Sequence, residues 1–513
     1  MLRRDFLKRA LQAGTILPLA SSGLFGRPLS SLLLPRTSDA EDRVLVLINL
    51  NGGNDGLNTV VPIHDQRYYD ARKTIALAEG STLKIGDGAV GLHGSMEHVA
   101  GLYNAGQCAI VQSVGYPDQD RSHFRSTDIW HTASDADTVL HTGWLGRYLE
   151  KDHPEYPATL PTAPFAIQVA SSATLMLQGD KGGMGMAIDN PDRFYNLANG
   201  LNVQPDPLPA TLAGPELKFV RDVIAQSNRY STEIHKAMLD GSTNVAYETN
   251  SLASQLKVVA RLINGGLRTG IYVVSINGFD THYSQLVQHA QLLSQISRAV
   301  KAFMDDLDAA GNGHRAALLT YSEFGRRVNE NGSAGTDHGA ASPLFVFGKS
   351  VLGGNLLGGA PNLVDLDNRG DIQFMHDFRQ VYASALQDWL GFSRSDTAGI
   401  LGGEFEKLPL FMAPTVGVLD ETQARFAGYA LEQNTPNPVA ATTTITFRIP
   451  RQSDVRLRIT TSDGRQMTSL VERTLDAGEH RIQFDASRLG SGGYLYTLEC
   501  GRTTLSKRMT VVR

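Results

Sequence analysis

Short runs of apolar residues, each ended by turn-forming residues, recur along most of the 513-residue chain. Such runs indicate strands that are buried on both faces of a sheet. They cover residues 43–50, 108–115, 165–170, 270–278, 315–322 and 343–348. Between them, apolar residues recur every three or four positions over 286–307, and a similar stripe over 377–391 stops at Gly391, as helices do. Strands that alternate with helices predict a three-layer α/β sandwich around a mostly parallel sheet, whose ligands bind at the carboxyl ends of the strands.

The pattern changes beyond residue 414, where short stretches alternate between apolar and polar residues. These stretches are TTTITFRI, DVRLRITT, HRIQFDA, GYLYTLE and LSKRMTVV, and turn-rich segments separate them. Alternation with a period of two and regularly spaced turns predicts a small all-β sandwich. The sequence thus divides into a predicted α/β domain at 41–413, a linker at 414–432 and a β-sandwich at 433–513.

Composition narrows the class of protein. The chain is 42% hydrophobic and carries a formal charge of −5, which is typical of a globular protein and gives no reason to expect a nucleic-acid partner or an anionic membrane surface. Its two cysteines, Cys108 and Cys500, fall in different predicted domains, which excludes a disulfide framework and a cysteine-based zinc site. We therefore expect two unpaired thiols. Beyond the N-terminal segment, no stretch has the length and apolarity of a transmembrane helix.

Residues 1–40 are predicted to be a targeting segment rather than part of the fold. The segment begins with basic residues, the pair Arg3–Arg4 precedes Phe6-Leu7-Lys8, and a modest apolar run follows. This arrangement resembles a twin-arginine export signal, which implies transport of the folded protein across the inner membrane by that machinery. The sequence around Ser38–Ala40 is the predicted cleavage site.

Four clusters of polar residues each follow a predicted strand. They contain Asp55 in NGGNDGLNTVVP, then Ser122, His123, Ser126 and Thr127 at a predicted helix start in DQDRSHFRSTDIW, then Asp280 and His282 in NGFDTHYSQ, then Glu323, Arg326, Asp337 and His338 in YSEFGRRVNENGSAGTDHG. One sheet would bring these clusters to the same edge. Carboxylates mixed with imidazoles suit Zn²⁺ or Mn²⁺, and sets of oxygen ligands suit Mg²⁺ or Ca²⁺. A hydroxyl at a helix start lies where main-chain amides can stabilise an anion, and a metal there would activate it as a nucleophile.

Each cluster also has a purely structural interpretation. Asp55 beside glycine is ordinary turn chemistry, and serines at a helix start often serve as caps. Asp280 is a candidate cap for the helix that follows it, and Glu323 with Arg326 can form a structural ion pair. The sequence leaves both interpretations open for each cluster.

The tail resembles the C-terminal sorting domain of proteins exported by the type IX secretion system. The matching segments are NTPNP, DVRLRITTSDGRQM, LDAGEHRIQFDASRLGSGGYLYTLECG and SKRMTVV, in that order. The resemblance implies passage through an outer membrane by that machinery, and a secreted or cell-surface location. The alternative is an ordinary carbohydrate-binding or spacer sandwich.

The segments LINLNGGNDGLNTVVP, RSHFRSTDIW, NGFDTH, YSEFGRRVNENGSAGTDHG and DFRQVYASALQDWLG resemble a large group of exported bacterial proteins of unknown function. That group is similar in turn to the alkaline phosphatase and sulfatase superfamily, which implies an alkaline phosphatase-like fold. Asp280 and His282 resemble its metal-ligand Asp and His before a long helix, although one residue separates them here instead of three. Phe324 stands where the superfamily has a ligand histidine, and Asn51 stands where it has its first ligand aspartate.

The superfamily resemblance implies a divalent metal ion, which is Zn²⁺, Mn²⁺, Ca²⁺ or Mg²⁺. Its last ligand histidine is matched by His338, which precedes PLFVFG. The predicted metal-binding residues are Asp55, Asp280, His282, Glu323, Asp337 and His338, with Asp55 or Glu323 belonging to a second site.

The function implied is a metal-dependent hydrolase that acts on phosphate or sulfate esters. In that hypothesis Ser122 is the nucleophile, with Ser126 and Thr127 as alternatives, and Arg326 or Arg125 binds the anionic group through its paired N–H donors. The alternative hypothesis is a non-catalytic surface protein that binds polysaccharide or another exported protein.

Overall fold

The computed structural model describes residues 42–157, 159–199, 213–412, 430–449, 453–461, 466–476, 478–500 and 503–512. These residues fall into two units, one within Asp42–Met412 and the other within Ala413–Arg513. The predicted signal segment at 1–40 and most of the predicted linker at 414–432 lie outside the described residues. The predicted domain boundaries therefore stay predictions.

The first unit contains a large sheet and a small one. Its strands in chain order are β1 Val44–Asn51, β2 Val60–Val61, β3 Thr82–Ile85, β4 Val90–His93, β5 Cys108–Gly115, β6 Ala166–Gln168, β7 Gly185–Ala187, β8 Ile271–Asn277, β9 Ala316–Tyr321, β10 Ser342–Phe347, β11 Leu356–Leu357 and β12 His376–Asp377. The large sheet has the order β11-β5-β10-β9-β1-β8-β6-β7, with β12 also paired to β5. The remaining strands β2, β4 and β3 form the small antiparallel sheet.

Helices connect these strands. In chain order they are α1 Gly56–Thr59, α2 Gln66–Ala71, α3 Glu97–Asn104, α4 His123–Thr132, α5 Trp144–Asp152, α6 Pro191–Asn199, α7 Ala213–Asp240, α8 Ser251–Asn264, α9 Gln285–Ala309, α10 Phe378–Ser384 and α11 Arg394–Leu401. A π-helical turn, Ala385–Trp389, continues α10. The predicted helices over 286–307 and 377–391 correspond to α9 and to α10 with its π-helical turn.

The direction of the strands places one edge of the large sheet at the candidate site. β1 pairs in parallel with both β8 and β9, whereas β10 runs antiparallel to β9 and to β5. It follows that β1, β5, β8 and β9 all point the same way, so the loops that leave their carboxyl ends start from a single edge. The mostly parallel sheet predicted from the apolar runs is confirmed.

Helices cover both faces of the large sheet. On β1, Val46 and Ile48 pack into a core that is completed by α3, α7, α8 and α9, while Leu45 and Leu47 pack into a second core formed with α4, α5 and α10. Successive residues of a strand point to opposite faces, so a continuous apolar run is what two covered faces require. The predicted three-layer α/β sandwich is confirmed.

The second unit is a β-sandwich. Its strands are β13 Ala430–Leu431, β14 Thr442–Ile449, β15 Ser453–Thr461, β16 Gln466–Leu475, β17 Gly478–Asp485, β18 Gly492–Cys500 and β19 Thr503–Val511. They form one sheet in the order β13-β14-β17 and another in the order β16-β15-β18-β19. Apolar residues of both sheets, among them Phe447, Leu457 and Tyr496, share one core. The predicted small all-β sandwich is confirmed.

Two strands of the sandwich are missing from the sequence prediction, the two-residue β13 and the longer β16. β16 lies at the edge of its sheet, and its pairing with β15 shifts register twice, between Leu457 and Arg458 and between Ile459 and Thr460. Register shifts of this kind interrupt the strict alternation by which strands are recognised.

Both cysteines are free, as expected, and both are buried. Among the helices in the described part of the chain, none has the length and apolarity needed to cross a membrane.

Candidate metal centre

Four side chains converge at the carboxyl edge of the large sheet. They come from three loops: His123 begins α4 after β5, Asp280 and His282 lie between β8 and α9, and His338 lies between β9 and β10. Asp280 Oδ1 is 3.0 Å from His282 Nε2, 3.2 Å from His338 Nε2 and 3.5 Å from His123 Nε2. The Nε2 atoms of His282 and His338 are 3.0 Å apart. We call these four residues the open donor cluster.

Each histidine of the open donor cluster is oriented by a hydrogen bond at its other ring nitrogen. Nδ1 of His338 lies 2.8 Å from the carbonyl oxygen of Arg121. Nδ1 of His123 lies 2.8 Å from Glu323 Oε1, and Nδ1 of His282 lies 3.1 Å from Asp337 Oδ1.

A carbonyl or carboxylate oxygen can only accept at these positions, so each Nδ1 carries the proton and donates it. The three Nε2 atoms are therefore left as lone-pair donors that point toward one carboxylate oxygen. This orientation of a ligand imidazole by a carboxylate or carbonyl is typical of metal-binding histidines.

The electrostatics of the open donor cluster favour a cation at its centre. Imidazole nitrogen lone pairs that face a carboxylate oxygen at 3.0–3.5 Å repel it, and a cation between them would remove that repulsion. Neighbouring ligands of a tetrahedral zinc ion are separated by about 3.3 Å. In the described part of the chain, His123, Asp280 and His338 form a group whose three donor atoms all lie within 4.8 Å of one another, and His282 adjoins it through Asp280 and His338. The residues present thus fit a divalent metal ion.

The pKa shifts favour the ligand forms of Asp280 and His338 and oppose that of His123. Burial acts to raise the pKa of Asp280, but the hydrogen bond and charge of Arg326 outweigh it and hold that pKa at about 2. Burial lowers the pKa of His338, which favours the neutral imidazole at pH 7. His123 differs, because its hydrogen bond to Glu323 raises its pKa. Of the donors whose pKa is shifted, His123 therefore holds its proton most tightly, and metal binding requires the loss of that proton.

Arg326 positions Asp280 and donates its other hydrogen bonds to main-chain carbonyl oxygens. Its guanidinium is completely buried and donates to Asp280 Oδ1 at 2.7 Å. Its other hydrogen bonds reach main-chain carbonyl oxygens of Gly53, Thr336 and Phe279 at 2.7, 2.8 and 3.0 Å, and also that of Gly52. These bonds tie the loops after β1, β8 and β9 together. The guanidinium has a structural role in this arrangement, and the anion-binding role predicted for Arg326 stays a prediction.

The loops that carry Asp280 and His338 are also joined through their main chains. Ser284 N donates to Ser333 O at 2.9 Å, and Thr336 N donates to Thr281 O at 3.1 Å. At Gly335 the two loops approach so closely that an added Cβ would collide with the main chain of His282. Glycine is required there because any side chain would push the loops apart.

Glu323 and Phe324 form the wall behind the imidazoles. Glu323 is buried, and its Oε1 accepts from the main-chain N–H of Gly52 at 2.9 Å as well as from His123. The ring of Phe324 is buried and packs against the rings of His123 and His338, with centroids 4.9 and 4.6 Å apart. An aromatic ring thus lies against two of the donor imidazoles. Glu323 and Asp337, predicted as ligands, contact the histidines, and their ligand roles stay predictions.

The serine hydroxyl groups near the open donor cluster differ in their exposure and hydrogen bonds. Ser122 is the N-cap residue of α4, it is exposed, and its hydroxyl makes no capping hydrogen bond. Ser126 is completely buried, and its hydroxyl bonds to the carbonyl of Glu323 and to Tyr116 Oη. Arg125 donates to the carbonyl oxygens of Asp135, Ala136 and Thr138. Of the predicted nucleophiles, Ser122 is therefore better placed to react than Ser126.

Asp55 lies in a second polar group, which we call the buried Asp55 cluster: Asn54, Asp55, Arg72, Gln285 and His289. Asp55 Oδ2 accepts from Arg72 at 2.6 Å and from Gln285 at 2.5 Å, and both members of the ion pair are completely buried. His289 Nε2 lies 3.0 Å from Asn54 Oδ1. Burial opposes ionisation of Asp55, yet the charge of Arg72 lowers its pKa below the ordinary value. Its carboxylate is thus paired with a cation of the protein, and the ligand role predicted for it stays a prediction.

His123 is the donor that sequence reasoning missed. In the sequence His123 stands beside Ser122 in RSHFRSTDIW, and that position predicts only that it belongs to a helix start. In the structure its Nε2 is buried and lacks a hydrogen-bond partner. A metal ion would give this atom a partner, and no sequence spacing announces the need; Asp55 Oδ1 is buried without a partner in the same way.

Two family models match the chain. Residues 227–385 match the model described as "Protein of unknown function (DUF1501)", and residues 435–512 match the model of the secretion system C-terminal sorting domain. Both resemblances expected from the sequence motifs are confirmed. The protein is accordingly exported by the type IX system and is secreted or displayed at the cell surface. No protein with a curated function matches it.

Solved structures share parts of the fold. Part of the chain resembles PorZ, a surface component of the type IX secretion system of Porphyromonas gingivalis, with 19% identity over 20% of this chain and 14% of that chain, at a TM-score of 0.13. The lipoteichoic acid synthase LtaP from Listeria monocytogenes is 9% identical over 84% of this chain and 87% of that chain, at a TM-score of 0.30. TAB5 alkaline phosphatase with bound Mg is 8% identical over 61% of this chain and 94% of that chain, at a TM-score of 0.25. The similarity concerns the fold alone, and at these TM-scores it carries no argument about a reaction.

Proposed function

We propose that this exported protein is a hydrolase that binds one divalent metal ion through the open donor cluster and cleaves phosphate or sulfate esters. The observation that carries the proposal is the convergence of three imidazole Nε2 atoms on one carboxylate oxygen, at 3.0–3.5 Å. All four side chains remain partly exposed, from 24% for His338 to 48% for Asp280. Structural metal sites are closed, whereas catalytic ones keep a position open to solvent and substrate.

The donor set favours Zn²⁺ or Mn²⁺ over Ca²⁺ or Mg²⁺, because imidazole suits the former and oxygen ligands suit the latter. Such an ion supplies Lewis acidity toward an ester oxygen when it is bound. Glu323, Asp337 and the carbonyl of Arg121 hold the three imidazoles in their ligand tautomer. Arg326 keeps Asp280 ionised and in place.

Ser122 is the proposed nucleophile. Its exposed hydroxyl stands at the start of α4, next in the chain to the donor His123, and main-chain amides of the first turn of α4 stabilise negative charge there. In the proposed reaction its oxygen bonds to phosphorus or sulfur, the ester bond breaks, and the alcohol leaves with the hydroxyl proton. A water molecule then releases the oxyanion and restores the hydroxyl.

The N-terminal segment is proposed to be a twin-arginine signal. Arg3 and Arg4 followed by Phe6-Leu7-Lys8 support this, and residues 1–41 lie outside the described part of the chain. That route delivers folded proteins, which suits a domain whose candidate site is assembled from three distant loops. Replacing Arg3 and Arg4 with lysine should leave the protein in the cytoplasm.

A second candidate function is non-catalytic binding of polysaccharide or another exported protein. The observation that favours it is the buried ring of Phe324 against His123 and His338, at a position where the superfamily resemblance implies a further ligand histidine. In this alternative the open donor cluster would hold a metal ion that contributes to binding, and no ester is cleaved.

Elemental analysis of the purified full-length protein tests the proposal, with His338→Ala as the key variant and His98→Ala as its matched control. His98 is 40% exposed and pairs with Glu97, away from the donors. The proposal expects about one zinc or manganese per chain in the wild type and control, and none in His338→Ala. It also expects cleavage of nitrophenyl phosphate or sulfate that is lost in Ser122→Ala. Bound metal without cleavage would favour the binding function, and equal metal content in all three proteins would refute the site.

A further inference from the structure

A completely buried glutamine begins α9, three residues after the donor His282. Gln285 is the first residue of that helix, and none of its surface is exposed. Burying an amide without hydrogen bonds costs free energy, because the group gives up its bonds to water. The partners of the Gln285 side chain therefore show what this position requires.

The amide nitrogen of Gln285 binds the loop that follows β1. Its Nε2 donates to Asp55 Oδ2 at 2.5 Å, and the same oxygen accepts from Arg72 at 2.6 Å. An ionised carboxylate has no proton to give, so the nitrogen end of the amide must face it. This contact fixes the orientation of the amide and leaves its oxygen for other donors.

The amide oxygen accepts from the two loops that carry Asp280, His282 and His338. Oε1 of Gln285 lies 2.8 Å from Thr336 Oγ1 and 3.4 Å from Thr281 Oγ1. An amide oxygen has two lone pairs, so it can accept from both hydroxyls. Both threonines are buried, and a hydrogen bond inside the protein is electrostatically stronger than one in water.

Main-chain hydrogen bonds complete this junction. Gln285 N donates to Ala334 O at 3.0 Å, which gives a partner to a helix-start N–H that α9 cannot supply. Thr336 N donates to Thr281 O at 3.1 Å, and Thr336 O accepts from the Arg326 guanidinium at 2.8 Å. One residue thus contacts the loops after β1, β8 and β9 at the edge where the donors assemble.

We infer that Gln285 is a positioning residue of the open donor cluster, and that it holds the loops of Asp280 and His338 at the separation a metal ion requires. It acts on the donors through Thr281, which lies between two of them, and through Thr336, which stands two residues before the third. The inference rests on the proposed function in one respect, since it takes the donors to be metal ligands. The junction between the loops belongs to the metal-free protein as well, so it can be measured without a metal.

A buried hydroxyl farther along α9 supplies a control for general loss of stability. Ser297 is completely buried, and its Oγ accepts from the main-chain N–H groups of His98 and Val99 at 3.1 and 3.2 Å. Those partners belong to the start of α3 and not to a donor loop. Ser297→Ala therefore removes buried hydrogen bonds from the same helix without touching the junction.

Hydrogen exchange of the full-length protein in the presence of a chelator tests the junction itself. Gln285→Met removes both hydrogen-bonding ends of the amide, and Thr336→Val keeps the shape of its side chain and removes one hydroxyl. The amides of Thr336 and Ser284 cross between the two loops. Their exchange should become about tenfold faster in both variants, the factor that corresponds to one lost buried hydrogen bond, and should not change in Ser297→Ala.

Titration with Co²⁺, whose visible absorption reports its coordination, tests the consequence for the donors. Gln285→Met and Thr336→Val should each weaken Co²⁺ binding by about tenfold, as expected for groups that position a ligand. The two residues share one hydrogen bond, so the double variant should bind no more weakly than Gln285→Met alone. Ser297→Ala should bind Co²⁺ as the wild type does.

Unchanged exchange at Thr336 and Ser284 in both variants would overturn the inference. So would faster exchange with an unchanged affinity for Co²⁺, or an equal loss of affinity in Ser297→Ala. The proposed function fails separately. A wild type that binds no Co²⁺, with faster exchange in both variants, would refute the metal centre and support Gln285 as the residue that joins the loops. Co²⁺ binding that is the same in every variant would support the metal centre and overturn this inference.

Discussion

Two polar groups lie after strands of the same sheet, and they were predicted to share one chemistry. The open donor cluster contains Asp280, which is 48% exposed and faces three imidazole nitrogens. The buried Asp55 cluster contains a carboxylate of the same type, but Asp55 is completely buried and its charge is matched by Arg72 at 2.6 Å. In the first group imidazole nitrogens gather around a half-exposed carboxylate oxygen that Arg326 also contacts, whereas in the second the carboxylate is completely buried with its paired cation.

A carboxylate that follows a strand is therefore a candidate metal ligand only when other metal-ligating side chains lie beside it. Arg326 and Arg72 each contact one of the two aspartates, yet with different consequences. Arg326 distributes most of its donors over main-chain carbonyls, and its one bond to Asp280 is to Oδ1, the oxygen that also faces the histidines. Arg72 and Gln285 together occupy Oδ2 of Asp55. Burial of a full charge is tolerable only with such a partner.

The largest expected effect is on stability, from the buried Asp55 cluster. Asp55→Ala leaves the guanidinium of Arg72 buried without its partner, which costs about 3–5 kcal/mol of unfolding free energy. Urea unfolding at pH 7 in the presence of a chelator measures it. Asp280→Ala is the comparison, and we expect a loss of about 1 kcal/mol, because Asp280 is itself half exposed and the buried Arg326 keeps its main-chain partners. Equal losses in the two variants would erase the distinction between the clusters.

The next effect is a pH dependence of folding. Burial lowers the pKa of His289, in the buried Asp55 cluster, to about 4, and burial does the same to His131. Between pH 6.5 and 4 the unfolded chain takes up protons that the folded protein refuses, so stability falls as the pH falls. Each histidine contributes at most about 3 kcal/mol to this loss.

His289→Gln should therefore keep only about half of the acid destabilisation, measured as the change in urea midpoint between pH 7 and pH 4.5. The matched control is His98→Gln, whose exposed ring should leave the full loss in place. If His289→Gln loses as much stability on acidification as the wild type, the ring is already protonated in the folded protein.

A smaller effect concerns metal affinity in the open donor cluster. Glu323 is buried and orients His123 through its 2.8 Å hydrogen bond. Glu323→Gln should weaken metal binding by about 10–100-fold, the range usual for groups that orient a ligand. Competition with a chromophoric chelator measures the affinity. Glu330→Gln is the control, since that carboxylate bonds to Thr74 outside the site. An unchanged affinity in Glu323→Gln would remove His123 from the donor set.

The smallest expected effect comes from Asp337, the orienting group of His282. Its side chain is 54% exposed, so water can replace its 3.1 Å hydrogen bond. Asp337→Asn should therefore weaken metal binding by less than about tenfold in the same competition assay. A loss larger than that of Glu323→Gln would mean that Asp337 binds the metal itself, as the sequence pattern predicts.

The architecture was accessible from the sequence because its signals are local. The run VLVLINLN of β1 is apolar at every position that two covered faces bury, and α9 repeats its apolar residues at helical spacing. Edge strands carry weaker signals, because they are short or irregular. β16 was missed for that reason, since its register shifts against β15.

The sequence by itself determined the α/β sandwich, the sorting tail and the strand ends where polar residues collect, because hydrophobic periodicity and ordered motifs depend on neighbours along the chain. It placed Asp280, His282 and His338 in loops that meet at one edge. Only the tertiary structure decided which of the candidates share a site. His123 joined the donors because α4 aims its ring at Asp280, and Asp55 was set apart because Arg72, seventeen residues away, folds back onto it. Those outcomes depend on distances between side chains that are remote in sequence, and no local pattern encodes such distances.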